Sequence, residues 1–190
     1  MVNIWNIKAL IYQLRTKGLF GRILEQENLA VRELLAPVSL NGLCIADIGS
    51  GLGNIAGLLE NPVPIISIDS SLQMLRKQNS SHIISVRLNA SAENLPLKSG
   101  SLDFVFVVGL MEYIADKEGV IDELSRVLKP GGRGIITFSP KNNFTFLRWL
   151  QGSPVFPTND EENRNLLHKK FEILDQRKTV MQRQFLVQKK

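Results

Sequence analysis

The stretch Ala46-Asp47-Ile48-Gly49-Ser50-Gly51-Leu52-Gly53-Asn54 constrains this chain more than any other, because an apolar run ends there in an acid and three alternating glycines. The run before it, Leu43 to Ile48, reads as a strand buried on both faces of a parallel sheet. Three glycines in the turn bring bare backbone against a ligand, since no Cβ stands in the way. Twenty residues after Gly49, a second apolar strand, Ile65-Ile66-Ser67-Ile68, ends in Asp69. A carboxylate at that distance, one strand along the sheet, is placed to hold the hydroxyls of a ribose. The front of the chain therefore points to a ligand that contains a nucleoside.

Two such ligands stay open on these residues alone. Gly51-x-Gly53-x-x-Ala56 matches a dinucleotide fingerprint, in which a helix N-terminus meets a pyrophosphate. Asp47 opposes it. A carboxylate at the mouth of the first strand would repel a pyrophosphate and would suit the ammonium group of a methionine moiety.

Along the chain, residues 3–17 and 21–36 read as two helices separated by Gly18 and ended by Pro37. In the first, Ile4, Ile7, Ile11 and Leu14 recur at helical spacing. Strands are predicted at 43–48, 64–69, 83–88, 102–108 and 133–139, and helices at 53–60, 71–78 and 117–128, alternating as in a doubly wound sheet. The last of these helices carries the apolar stripe Val120, Ile121, Leu124, Val127 and Leu128; Asp116 caps it and Pro130-Gly131-Gly132 stops it. A short helix is expected at 143–150 and a loop at 152–159, and the segments 171–174 and 184–187 form an antiparallel pair. The predicted fold is α/β: one doubly wound, mostly parallel sheet of about seven strands with that antiparallel pair at its end and helices on both faces. It divides as a single domain, 1–190, with an N-terminal helical cap (1–40), a cofactor-binding core (41–139) and a substrate-side segment with the final strand pair (140–190).

Length and composition narrow the setting. A chain of 190 residues fits one domain that buries roughly two thirds of its unfolded surface. The single cysteine, Cys44, lies in the first predicted strand and is expected to be a small buried hydrophobe, with no disulfide within the chain. Lys8 interrupts the apolar N-terminus and no small-residue cleavage site follows, so no signal peptide is expected. Nor does any uncharged apolar run approach the roughly 20 residues of a spanning helix, and a cytoplasmic setting is expected. Residues 1–24 carry four basic residues and no acid, and residues 161–190 carry eight basic and four acidic ones. Such ends read first as solvated faces; contact of the basic N-terminal helix with a membrane surface, or of either end with nucleic acid, stays open. Oligomeric state is not legible.

Five ordered segments then resemble a known family. They are Asp47-Ile-Gly-Ser-Gly-Leu-Gly53, the acid-ended strand at Asp69, Ser91-Ala92-Glu93-Asn94-Leu95-Pro96, Ser101-Leu102-Asp103-Phe104-Val105, and Glu123-Leu-Ser-Arg126-Val-Leu-Lys129-Pro-Gly-Gly132. From about Leu43 to Phe138 the chain resembles the class I S-adenosylmethionine-dependent methyltransferases, and within them the ubiquinone and menaquinone C-methyltransferase branch. The resemblance implies S-adenosylmethionine as cofactor and no metal. It implies that Gly49, Gly51 and Gly53 pass under the methionine and ribose, with Gly109 also on the cofactor side. Asp47 would hold the ammonium through water, Asp69 would accept both ribose hydroxyls, and Ser70, Leu72 and Met74 would lie beside the adenine. Ser91, followed by Ala92, stands where the family commonly has an acid for the adenine amino group; serine can still accept that bond, or Glu93 can substitute. Lys129 to Gly132 and Asp103 are expected to be structural.

The family's acceptor chemistry sits at the end of the fourth strand, which here reads Gly109-Leu110-Met111-Glu112-Tyr113. Glu112 and Tyr113 are the catalytic candidates. Tyr113 stands where relatives often have histidine, and a phenol with an ordinary pKa near 10 is a poor base at neutral pH. On the substrate side, Trp5, Tyr12, Arg15, Phe144 and Trp149 form an aromatic and basic set suited to a small hydrophobic or anionic acceptor. Two alternatives remain: a non-catalytic cofactor-binding or regulatory subunit, and an RNA methyltransferase. The Asn/Asp-Pro-Pro-Tyr/Phe signature of many enzymes acting on exocyclic amines is not present after the fourth strand, which counts against the latter.

Overall fold

A seven-stranded sheet forms the centre of the computed structural model, which describes residues 18–59, 63–78, 84–143, 145 and 155–190. The strands are β1 (Ile45–Ile48), β2 (Ile65–Asp69), β3 (Ile84–Asn89), β4 (Leu102–Val107), β5 (Leu128–Phe138), β6 (Phe171–Lys178) and β7 (Arg183–Lys189). Their order across the sheet is β3-β2-β1-β4-β5-β7-β6. The first five run parallel, and β7 lies antiparallel between β5 and β6. The chain fills the sheet outward from β1 in one direction and then restarts at β4 in the other. That reversal leaves a crevice at the carboxyl ends of β1 and β4, where open sheets of this kind take ligands.

The helices α1 (Gly18–Leu35), α2 (Leu72–Lys77), α3 (Lys117–Val127) and α4 (Asp160–His168) surround the sheet. Alternation along β1 and β4 sorts side chains into two cores. Ile45, Phe104 and Phe106 pack with Val31 and Leu34 of α1; Ala46, Ile48, Val105 and Val107 pack with Val120, Ile121, Leu124 and Val127 of α3. Asp47 therefore shares a face with Ile45 and α1. The expected stripe on α3 is fully buried, and Asp116 caps that helix by accepting the Gly119 N–H at 3.0 Å.

Several expectations change. Of the helix expected at 53–60, the described residues 53–59 form none: residues 51–58 make successive turns, with the Gly53, Gly57 and Leu58 amides donating three residues back. Gly51 at φ +52° and Gly53 at φ +82° explain this, because left-handed residues break an α-helical repeat at its first turn. Cys44 is exposed, since β1 begins only at Ile45. Lys129 to Gly132 is not a stop before β5 but part of it: Leu102 pairs with Leu128 and Phe104 with Arg133, so these residues bulge out between two ladder positions. Lys129 Nζ reaches the Asp103 carboxylate at 2.7 and 2.9 Å, a contact that ties β5 to β4. The helix α4 is an addition to the expected elements, although its capping box is written in the sequence as Asn159-x-x-Glu162. The predicted helix at 3–17 and all but Asn143 and Thr145 of the one at 143–150 lie outside the described residues. No described helix is long and apolar enough to cross a membrane.

One ion pair fixes a loop that borders the ligand crevice. Arg126 Nε and Nη2 bind the Glu123 carboxylate at 2.7 Å, and the same guanidinium donates to the Leu97 and Leu95 carbonyls at 2.8 and 3.1 Å. Glu123 Oε1 also accepts the Leu95 N–H at 2.6 Å. The pair thereby holds the segment after β3 against α3. Losing hydrogen bonds of this charged kind costs about 1.5–3 kcal/mol each in favourable settings, and less where water reaches the group. Arg126→Ala should lower the melting temperature by about 3–8 °C; an unchanged melt would show that the loop is held by its apolar contacts alone.

Candidate active site

The cavity at the crevice is built from backbone first. Gly49, at φ +72°, leaves β1 with its N–H donating to the Ile68 carbonyl at 2.8 Å. A Cβ there would meet Leu110 at 2.9–3.0 Å, so no other residue fits between the two strand ends. Gly51 faces open space, with nothing within 4 Å of where a Cβ would stand. Gln78 holds this turn from behind, donating to Ser50 Oγ and the Gly51 carbonyl at 2.9 Å each. Gly109 (φ +72°) ends the β4 segment and is pinned by donation of its N–H to Thr137 Oγ1 at 2.8 Å.

Asp69 ties the turns together. Its Oδ2 accepts the Gly51 N–H at 2.8 Å and its Oδ1 accepts the Ser71 N–H at 2.7 Å. Burial raises its carboxyl above the ordinary range, and these two bonds partly offset that. Asp47, 3% exposed, has no such compensation; burial, with the Asp69 charge added, pushes it up to about 8.

The cavity is lined on one side by Asp69, Ser70, Met74, Ser91 and Ala92. Asp47, Gly49, Gly51, Gly109 and Tyr113 line its middle, and Leu24, Glu27, Val31 and Gln182 close the far side. Most of the expected cofactor residues are thus brought together. Four expected residues are not on its wall. Gly53 packs against Gln78, Glu93 lies behind Ser91 and accepts its hydroxyl at 2.9 Å, and Glu112 is buried beneath the short helical turn Met111–Tyr113. Leu72 is exposed and likewise off the wall. Trp5, Tyr12, Arg15, Phe144 and Trp149 lie outside the described residues. Among the described residues no cluster of metal ligands occurs.

Glu27 and Gln182 are wall residues that the sequence motifs do not reveal. Glu27 carries a signal all the same: it falls in the stripe Ile23, Glu27, Ala30, Val31, Leu34, where every other member is apolar and buried. An acid in a core stripe needs partners, and here they lie on the β6–β7 turn, more than 150 residues away.

The residues present fit a nucleoside with a cationic tail. Each Asp69 oxygen takes one backbone N–H and keeps a lone pair, as a vicinal diol requires. The glycine backbone of 49 and 51 lies bare to the cavity, and Asp47 gives an acid rather than a phosphate-binding group at the mouth of β1.

Sheet order, glycine turn and cavity define an open α/β protein whose switch-point cavity fits a nucleoside ligand. Residues 46–136 match the family model described as a methyltransferase domain. The chain is 33% identical over 141 residues to a malonyl-[acyl-carrier protein] O-methyltransferase of Marinomonas sp., covering 67% of this chain and 52% of that one. It is also 33% identical over 103 residues to a demethylmenaquinone methyltransferase of Thermus thermophilus, covering 50% and 47%. The chain thus spans about half the length of these relatives. An S-adenosylmethionine-dependent methyltransferase of Thermotoga maritima has the same fold over the whole of both chains, with a TM-score of 0.78 at 22% identity. Over residues 46–136 the chain is thus similar to the methyltransferase domains of these relatives, and its fold is that of the class I S-adenosylmethionine-dependent methyltransferases.

The raised Asp47 has a consequence for stability. In the unfolded chain its ordinary value is 3.8, and in the fold it is pushed up to about 8. A raised folded value stabilises the fold below the unfolded pKa, and that contribution is lost as pH rises through the folded one. Asp47→Asn should therefore be more stable than wild type at pH 7.5, by on the order of a few kcal/mol, and should lose that advantage near pH 4. Thermal melts at the two pH values decide it; equal melting temperatures at pH 7.5 would show that Asp47 ionises freely in the fold.

Proposed function

We propose that the chain transfers a methyl group from S-adenosylmethionine to a small acceptor. The observation that carries this is the meeting of Asp47, Asp69 and the bare backbone of Gly49 and Gly51 around one cavity at the carboxyl ends of β1, β2 and β4. When bound, the cofactor supplies a methyl carbon activated by a sulfonium leaving group. Asp69 would hold its ribose diol, Asp47 its ammonium group, and Ser70, Met74, Ser91 and Ala92 its adenine side.

The protein's remaining task is to align an acceptor and keep water away. Positioning of this kind supplies about 7–11 kcal/mol, against about 3–5 kcal/mol for a general base. Leu24, Val31, Ile55, Leu110 and Ile114 make the apolar wall suited to that task. Tyr113, on the wall, can orient an acceptor, whereas Glu112 lies behind it. The described lining holds the acids Glu27, Asp47 and Asp69 and no basic side chain, which supports a neutral, hydrophobic acceptor over an anionic one.

Calorimetry with S-adenosylmethionine, S-adenosylhomocysteine and NAD tests the assignment. The first two should bind and NAD should not. A charge-assisted bond to the diol is worth about 1.5–3 kcal/mol, so loss of even one in Asp69→Ala should weaken binding by at least roughly ten- to hundredfold. Binding of NAD alone would overturn the proposal.

A further inference from the structure

Glu27 and Gln182 both line the cavity, from α1 and from the β6–β7 turn, two elements that carry none of the residues assigned to the cofactor. The register places them there: Phe138, the last residue of β5, pairs with Arg183, so the turn between β6 and β7 lies at the carboxyl edge of the parallel strands. Gln184 Nε2 joins the two groups, donating to Glu27 Oε2 and to Gln182 Oε1 at 3.1 Å each. The Glu27 carboxylate is otherwise held by the Thr179 hydroxyl on Oε2 and by the Met181 N–H on Oε1 at 3.0 Å. Oε1 accepts that one hydrogen bond and keeps a lone pair.

Gln182 is only 9% exposed. Its Oε1 is committed to Gln184, which turns Nε2 the other way, to 3.7 Å from where a Cβ on Gly109 would stand. No hydrogen bond of Nε2 is formed among the described residues, so on the cavity wall it is left as a donor for a ligand. The wall thus offers one carboxylate acceptor and one amide donor, linked through Gln184, amid apolar side chains.

We propose that Glu27 and Gln182 form the acceptor subsite and that it takes a neutral, acidic hydroxyl on an unsaturated carbon, a phenol or enol, which is methylated on oxygen. This rests on the methyltransferase assignment above. A hydroxyl oxygen has one proton and two lone pairs. Its O–H donates to Glu27, one lone pair accepts from Gln182 Nε2, and the other is left for the methyl carbon. An amine has a single lone pair, which cannot serve both Gln182 and the methyl carbon, and a carboxylate has no proton for Glu27. In the transfer, the oxygen lone pair forms the C–O bond while the carbon–sulfur bond breaks, its electron pair staying on sulfur. The hydroxyl proton passes to the Glu27 carboxylate. Sulfonium and carboxylate charges are lost together, leaving a neutral ether, a thioether and a carboxylic acid. Burial holds the Glu27 carboxyl above its ordinary range, in the direction a proton acceptor needs.

Three ring compounds of similar size test this on the whole chain saturated with S-adenosylhomocysteine: 4-methylphenol, 2-phenylethylamine and 3-phenylpropionate, titrated by calorimetry. The phenol should bind most tightly. Glu27→Gln and Gln182→Leu should each weaken it about tenfold, while S-adenosylhomocysteine still binds. Gln182→Leu removes no contact of Glu27 itself, so it keeps the test meaningful if Glu27→Gln fails to fold. With S-adenosylmethionine in place of the product, 4-methylphenol should yield 4-methylanisole. Preference for the amine or the carboxylate, binding of none of the three, or phenol binding untouched by both variants would overturn the subsite. Failure of S-adenosylhomocysteine to bind the wild type would instead overturn the cofactor assignment beneath it.

Discussion

One carboxylate holds the ligand crevice in shape. Asp69, at the end of β2, accepts an N–H from Gly51 in the turn after β1 and another from Ser71 at the start of α2. Two loops that leave neighbouring strands are thus fixed to one side chain, which still keeps a lone pair on each oxygen. The glycines around it follow from that closeness. Gly49 has no room for a Cβ against Leu110, and Gly51 presents its amide to the acid and its bare face to the cavity.

The same constraint explains the unusual state of Asp47. It lies on the α1 face of the sheet, beneath the turn and near Asp69, where its charge is poorly solvated. Such a group weakens the fold at neutral pH and gains an opposite charge only from a ligand. A site that stabilises its ligand at the expense of the empty protein is a common arrangement for functional carboxylates. Here it accords with a ligand that carries an ammonium group and disagrees with one that carries a pyrophosphate.

Much of the fold is legible in the sequence because its signals are local. The strands β1, β2 and β4 are short, largely apolar runs, closed by an acid or followed within two residues by glycine, and α3 shows a full stripe with a cap. The elements that differ depend on neighbours. The glycine turn runs on through residues 51–58 instead of entering a helix, because left-handed residues occupy the positions where the first helical turn would form. Lys129 to Gly132 joins β5 because Leu128 pairs with Leu102 across the bulge, which no local pattern records. For α4 the signal is short: Asn159 and Glu162 spell a capping box, but few apolar residues follow to mark a buried stripe.

The candidate site divides in the same way. Asp47, Gly49, Gly51 and Asp69 belong to two motifs twenty residues apart, so one side of the cavity can be read from the sequence. The opposite wall brings α1 to the β6–β7 turn across most of the chain's length, and only an acid misplaced in the α1 stripe hints at it. The measurement that bears most directly on the account is a crystal structure of the chain with S-adenosylhomocysteine. It should show the ribose diol on Asp69 and the amino-acid end toward Asp47, with the thioether sulfur facing Glu27 and Gln182. A ligand seated outside this cavity, or an Asp69 that touches only the Gly51 and Ser71 amides, would contradict it.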